Sequence, residues 1–68
     1  GRKMAEKWSG ILVCVRIYKK MNFRNFKEGE YYLVCNGRLI DGNGQKSSEV
    51  YSCIDEINDA FYADFISL

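Results

Sequence analysis

Residues 11–18 of this chain read ILVCVRIY, and this run is the strongest strand signal in the sequence. Its density of β-branched residues predicts a strand, because such side chains fit the pleated surface of a sheet. Alternation separates two faces: Ile11, Val13, Val15 and Ile17 on one, and Leu12, Cys14, Arg16 and Tyr18 on the other. The first set is wholly apolar, so we expect it to face the core.

Turn signals divide the middle of the chain into further short strands. Residues 19–30 are polar and predict a long loop in which Phe23 and Phe26 are embedded. We expect a second strand over 30–36, a third over 39–40 and a fourth, at an edge, over 45–51. The dipeptide Asn36-Gly37 is a two-residue hairpin signal, and DGNG at 41–44 is the clearest turn.

Two templates compete for the C-terminal segment. Ser52, followed by acidic residues, is typical of a helix N-terminus. The spacing of Ile54, Ile57, Phe61, Phe65 and Leu68 matches one face of a helix. This favours a helix from about Cys53 to Asp64. The rival interpretation is a shorter helix to about Asp59 and a final strand in which Phe61, Ala63 and Phe65 share a face.

These segments predict one small α+β domain over residues 11–68, preceded by an N-terminal extension over 1–10. Gly1-Arg2-Lys3 ahead of Met4 also fit a cloning remnant. The preferred fold is an antiparallel meander of four or five short strands curled into a small barrel, with one helix near the C-terminus. The alternative is an open three- or four-stranded sheet with that helix packed on one face.

Composition excludes several function classes. The chain has 68 residues and no histidine, so it lacks the commonest general base and metal ligand, and a core this small leaves little room for a deep pocket. We therefore expect no catalytic residues, no metal, no cofactor and no small-molecule substrate. The glycine pairs belong to a hairpin rather than to a phosphate-binding loop.

Cysteine usage and hydropathy bear on location. Three cysteines without CxxC spacing predict small buried side chains in a reducing cytoplasm, with a Cys14–Cys35 bridge as the alternative. No apolar run approaches the roughly 18 residues that a membrane span needs. We expect a cytoplasmic protein that does not contact a membrane.

The charge is unevenly divided along the chain. The formal net charge is +1, yet residues 1–38 carry +6 and residues 39–68 carry −5. Such asymmetry predicts one positive and one negative surface. This division of charge is typical of a molecule that contacts other macromolecules. We expect a monomer, or a homodimer in which exposed edge strands pair.

The positive half interleaves cations with aromatic rings. Cations neutralise phosphates and rings stack on unpaired bases, so this pattern predicts a nucleic-acid surface formed by Arg16, Lys19, Lys20, Phe23, Arg24, Lys27 and Arg38. The alternative is that Phe26 and Phe23 fold inward and the lysines are merely solvated. The near-neutral total also argues against a dedicated nucleic-acid binder.

The negative half offers a protein-binding surface instead. An acidic helix face could mimic phosphates, and exposed aromatic residues commonly anchor interfaces. The candidate partner-binding residues are Asp55, Glu56, Asp59, Trp8 and Tyr31. Trp8 has a second interpretation as a lid over the core. Tyr18, Tyr31 and Trp8 are also expected to form an exposed aromatic cluster.

Three motifs resemble the small SH3-like barrels common among phage and prophage proteins: VCVRIY at 13–18, FKEGEYYLV at 26–34 and LIDGNGQ at 39–45. Gly29 and Tyr32 occupy the positions of the Gly-x-x-Tyr element of such barrels. There the glycine turns the backbone into the strand, and the tyrosine packs with its hydroxyl reaching a partner. The tail departs from that pattern because it is longer and more helical.

The segment GQKSSEVYSCIDEINDAF at 44–61 is similar to the last strand and helix of three-stranded-sheet-plus-helix modules, such as the arm-type DNA-binding domains of phage integrases. Both resemblances imply a binding module and not an enzyme. We expect a non-enzymatic protein that contacts a protein partner, as an inhibitor or adaptor of nucleic-acid machinery. The alternative is direct binding of nucleic acid through residues 16–27.

Overall fold

The computed structural model of the chain describes residues 8–68, so most of the predicted extension lies outside the described residues. The strands are β1 (Gly10–Ile17), β2 (Tyr31–Cys35), β3 (Arg38–Leu39) and β4 (Ala63–Ser67), with one α-helix, α1 (Ile54–Phe61). A 3₁₀ helix, Lys20–Arg24, lies in the loop between β1 and β2. The strands form one antiparallel sheet in the order β3-β2-β1-β4. The predicted small α+β fold, a curled sheet with one helix near the C-terminus, is confirmed.

The last described element is a strand, so the favoured long helix is wrong; the rival interpretation is right about this strand but wrong about Phe61, which belongs to α1. α1 stops at Phe61, and Tyr62 adopts a left-handed conformation with φ of 51°. Ala63 then pairs with Ile17, and Phe65 with Cys14. Pairing satisfies the backbone groups on the second side of β1, which outweighs the 3.6-residue periodicity of the apolar residues.

The core is on the opposite face of β1 from the one that alternation suggested. Leu12 and Cys14 are fully buried, whereas Ile11 and Val15 are about half exposed. Ile17 is nevertheless buried, because β1 contains a β-bulge: Cys14 pairs with Phe65 and Arg16 with Asp64. One extra residue on β1 reverses the alternation beyond it.

α1 covers only one face of the sheet, which we call the inner face. Ile57 of the helix is fully buried against the strand residues of that face. Phe26 lies in the same core and makes edge-to-face contacts with Tyr32 and Phe65, at centroid distances of 4.9 and 5.6 Å. Phe26 therefore folds inward, while Phe23 is 51% exposed. The opposite face of the sheet, the outer face, carries no helix among the described residues.

Gly29 and Tyr32 behave as the Gly-x-x-Tyr element implies. Gly29 has φ of +90° immediately before β2. Tyr32 is buried, and its hydroxyl accepts a hydrogen bond from the Lys27 backbone N–H at 2.6 Å. These two residues fix how the long loop enters the sheet.

The predicted fourth strand does not form. Only Lys46 within residues 45–51 pairs in β fashion, as an isolated bridge to Ile40. The Ser47 side chain replaces one backbone hydrogen bond of the expected strand pairing: the Leu39 N–H donates to Ser47 Oγ at 3.1 Å. Such side-chain hydrogen bonds compete with a regular ladder.

The three cysteines are free. Cys14 faces the core, whereas Cys35 alternates with the buried Val34 and lies on the outer face. The alternative Cys14–Cys35 bridge is therefore wrong, since a disulfide needs side chains that point toward each other. Burial, with Glu28 and Asp64 adding to it, raises the pKa of the Cys14 thiol.

The Asn36-Gly37 hairpin is confirmed, and it is the most crowded turn in the described residues. Both residues have positive φ, at 52° and 82°. The Gly37 N–H donates to Trp8 O, and the Tyr51 N–H donates to Gly37 O, each at 2.7 Å. A Cβ on Gly37 would lie 2.6 Å from Val50 Cγ1.

Two glycine substitutions separate backbone strain from crowding. Gly44 has φ of +81° but open space around it, so Gly44→Ala should lower the free energy of unfolding by only about 1 kcal/mol. Gly37→Ala adds a clash and should lower it by about 3 kcal/mol. Urea denaturation followed by circular dichroism measures both, and equal losses would contradict the turn packing described here.

Candidate functional site

The outer face carries two complete cross-strand rows of apolar side chains. Val13, at the centre of one row, pairs with Tyr31 on one side and Ile66 on the other. Ile11, at the centre of the second row, pairs with Leu33, and its carbonyl accepts the Leu68 N–H at 3.0 Å. We call this set the outer apolar patch: Ile11, Val13, Tyr31, Leu33, Ile66 and Leu68.

The outer apolar patch is exposed to a degree unusual for such residues. The exposed fractions are 62% for Tyr31, 52% for Leu33 and 53% for Ile66. Six neighbouring side chains of this kind expose on the order of 500 Å² of apolar surface, within the range of patches that mark interaction sites. None of the six carries a charge.

One end of the patch is bordered by an oppositely charged pair of residues. Arg16 on β1 pairs across the sheet with Asp64 on β4. Asp64 Oδ2 also accepts a hydrogen bond from the Tyr18 hydroxyl at 2.7 Å. That bond is the main reason why the pKa of Tyr18 is raised. The border of the patch is thus polar but nearly neutral.

Hydrogen bonds occupy part of both edges of the sheet within residues 8–68. Beside β3, Ser47 Oγ accepts the Leu39 N–H, and Arg38 Nη1 donates to Ser47 O at 3.0 Å. Beside β4, Asn58 of α1 contacts the backbone of Phe65. Its Oδ1 accepts the Phe65 N–H at 2.8 Å, and its Nδ2 donates weakly to Phe65 O at 3.4 Å. Backbone groups that already have a partner are less available to an added strand, whereas the outer face is open in the described residues.

The candidate protein-binding residues do not form one surface. Asp55, Glu56 and Asp59 are exposed on α1, and Glu56 Oε1 accepts the Ser52 N–H at 2.8 Å near the helix start. Trp8 is half buried against the core, and its indole donates to Tyr51 O at 2.7 Å, so the lid interpretation is confirmed. Trp8 and Asp55 share the lining of one shallow depression.

The expected aromatic cluster of Tyr18, Tyr31 and Trp8 is wrong. Trp8 precedes β1 and Tyr18 follows it, so an eight-residue strand of roughly 25 Å separates them. Tyr31 lies on the outer face opposite Val13, as a candidate interface residue should. Among the predicted partner-binding residues, only Tyr31 belongs to the outer apolar patch.

Most of the predicted nucleic-acid residues lie on or next to the 3₁₀ helix. Lys20, Phe23 and Arg24 are exposed on it, and Asn22 Nδ2 holds it against the end of α1 by donating to Phe61 O. An open depression of about 480 Å³ beside it includes Arg24 and Lys27 in its lining.

The remaining basic candidates are engaged elsewhere. The Lys19 ammonium lies 4.7 Å from the centroid of the Tyr62 ring. Arg16 belongs to the border of the outer face. Arg38 lies at the opposite end of the sheet, where its guanidinium is held by the backbone of Ser47 and Ser48. The basic surface is therefore smaller than the sequence suggested.

Charged side chains of opposite sign lie near the two ends of α1. Asp55 and Glu56 lie in its first turn, and Lys19 lies over Tyr62 just beyond its last turn. Carboxylates near the helix N-terminus and a cation near its C-terminus both complement the helix dipole. The two signs are not fully separated, however, because Asp64 pairs with Arg16.

Sequence reasoning missed the outer apolar patch because it placed Ile11 and Val13 in the core. Both faces of β1 are apolar, and a chain with one helix covers only one of them. That surplus of apolar residues was the available signal. In residues 8–68 no helix is long and apolar enough to cross a membrane. No three His, Cys, Asp or Glu side chains of these residues are grouped to hold a metal ion.

Comparison of the chain with protein-family models, with curated proteins and with solved structures finds no match.

Replacement of Asn58 tests whether its side chain completes the edge of β4. Asn58→Ala leaves the part-buried Phe65 N–H without its acceptor. We expect a loss of about 1–2 kcal/mol in the free energy of unfolding. Hydrogen exchange of the Phe65 amide should become at least about tenfold faster, since about 1.4 kcal/mol corresponds to tenfold. Asp59→Asn on the same helix is the control and should leave Phe65 protection unchanged.

Proposed function

We propose that this chain is a non-enzymatic interaction module that binds a protein through the outer apolar patch. The observation that carries the proposal is the pair of uninterrupted apolar rows Leu33–Ile11–Leu68 and Tyr31–Val13–Ile66. Burying apolar surface is favourable by roughly 25 cal/mol per Å², and part of this gain offsets the entropic cost of association.

The proposal favours docking on a face over addition of a strand. Asn58 and Ser47 already use the backbone groups at the two edges. A partner must therefore contact side chains, and Tyr31 is the side chain best suited as an anchor because it combines a large apolar ring with a hydroxyl.

The acidic side chains of α1 give the module a second contact region. Asp55 and Asp59 are exposed one helical turn apart. A basic groove on a nucleic-acid enzyme would accept them, which is the inhibitor or adaptor role expected from the acidic helix face. This region would add specificity and association rate rather than most of the affinity.

Capture by surface variants tests the proposed function. A tagged chain is immobilised at low density and exposed to cell extract together with the untagged chain. Leu33→Lys with Ile66→Lys places two charges in the patch and should abolish retention of whatever protein the wild type retains. Met21→Lys with Val50→Lys is the matched control, because both residues are exposed apolar side chains outside the patch. Retention that survives in the patch variant, or no retention by the wild type, would overturn the proposal.

A second candidate function is the binding of single-stranded nucleic acid by the 3₁₀ helix. The observation that favours it is the 51% exposure of Phe23 between Lys20 and Arg24. An exposed ring can stack on a base while flanking cations contact phosphates.

Salt dependence tests this second candidate. A labelled single-stranded oligonucleotide is titrated at about 50 and 200 mM salt. Lys20→Gln with Arg24→Gln should weaken binding and reduce the slope of log K against log salt by about 1.4, or about 0.7 per lost phosphate contact. Ser48→Glu with Ser67→Glu changes the net charge equally outside the 3₁₀ helix and should leave that slope unchanged. Equal effects of the two double variants on the slope would contradict this second candidate function.

A further inference from the structure

The outer apolar patch has the properties of a surface that binds itself. Its six members lie in a block of three strands by two rows, about 10 Å by 7 Å between Cα positions. An apolar block of this kind can pack against an identical block turned about a two-fold axis, which is the commonest symmetry of protein dimers.

Charge places no obstacle to this arrangement. The side chains of the patch are uncharged, and the flanking residues Arg16 and Asp64 oppose each other across the strands. The chain as a whole carries a formal charge of only +1. Two copies therefore meet without strong like-charge repulsion, whereas a strongly basic or acidic face would keep them apart.

The area reaches the lower bound for a specific interface. The patch exposes on the order of 500 Å², so two copies bury on the order of 1,000 Å² in total, which is about the smallest area that a specific interface needs. The flanking Val15, which is 50% exposed, adds to this area. A chain of 68 residues buries a smaller fraction of its surface than a larger domain does, so covering a second sheet face adds to its stability.

We propose that the occupant of the outer apolar patch is a second copy of this chain, and that two sheets pack face to face into a two-fold symmetric dimer. The sheets then lie about 10 Å apart with their strands nearly aligned. Dimerisation through this face replaces the edge pairing expected from the sequence, because Asn58 and Ser47 occupy those edges. This inference rests on the proposed function, since it names the partner of the same surface.

Sedimentation equilibrium measures the oligomeric state directly. Over about 1–200 μM the wild type should shift from the mass of one chain to twice that mass. Leu33→Lys with Ile66→Lys should raise the dissociation constant at least about 30-fold, as loss of a central hot spot does. Met21→Lys with Val50→Lys should leave it unchanged. A wild type that stays monomeric at about 200 μM, or a control that weakens association equally, overturns the dimer.

A second variant distinguishes loss of association from loss of folding. Tyr31→Ser with Leu68→Ser trims the two most exposed members of the patch, at 62% and 72%, without placing a charge in it. It should weaken association in the same direction while circular dichroism shows a folded chain. Unchanged association in this folded variant counts against the dimer.

The capture experiment separates failure of the dimer from failure of the proposed function. Patch-dependent retention of the untagged chain supports both. Patch-dependent retention of a different protein, by a chain that is monomeric in sedimentation, supports the interaction module and overturns the dimer. Absence of any patch-dependent retention, together with a monomer, overturns both.

Discussion

β1 lies between β2 and β4 and carries apolar side chains on both faces, while the described chain has a single α-helix with which to cover them. Ile57 of α1 belongs to the same buried core as Leu12 and Cys14, and the helix thereby covers the inner face. The outer face receives no equivalent cover within the described residues. Burial of apolar surface is the dominant favourable term in folding, so this choice of face sets both the core of the domain and the character of its surface.

Two local devices make this arrangement possible. The β-bulge after Cys14 lets Ile17 reach the inner face. Without the bulge, alternation would place Ile17, three residues after Cys14, on the outer face. Asn58 completes the edge of β4 from the helix side, which joins α1 to the sheet through hydrogen bonds as well as through Ile57.

The basic and acidic residues have a different role from the outer apolar patch. Asp55, Glu56 and Lys19 lie near the two ends of α1, where they complement the helix dipole, and several other charged side chains are held by neighbouring groups. Arg38 binds the backbone beside β3, and Glu56 binds the Ser52 N–H. The apolar rows are the larger unpartnered surface, and they support an interaction module more strongly than the charge pattern does.

Local sequence alone determined the strand at 11–18, the hairpin at Asn36-Gly37 and the small α+β class, because turn chemistry and β-branched density act over a few residues. It also identified Tyr31 as an exposed aromatic residue. It did not determine which face of β1 is buried or whether the chain ends in a helix or a strand. Both faces of β1 are apolar, and the spacing of Ile57, Phe61 and Phe65 fits either ending. Only the tertiary structure decided these points, since they depend on where α1 packs and on the backbone hydrogen bonds that β4 supplies to β1.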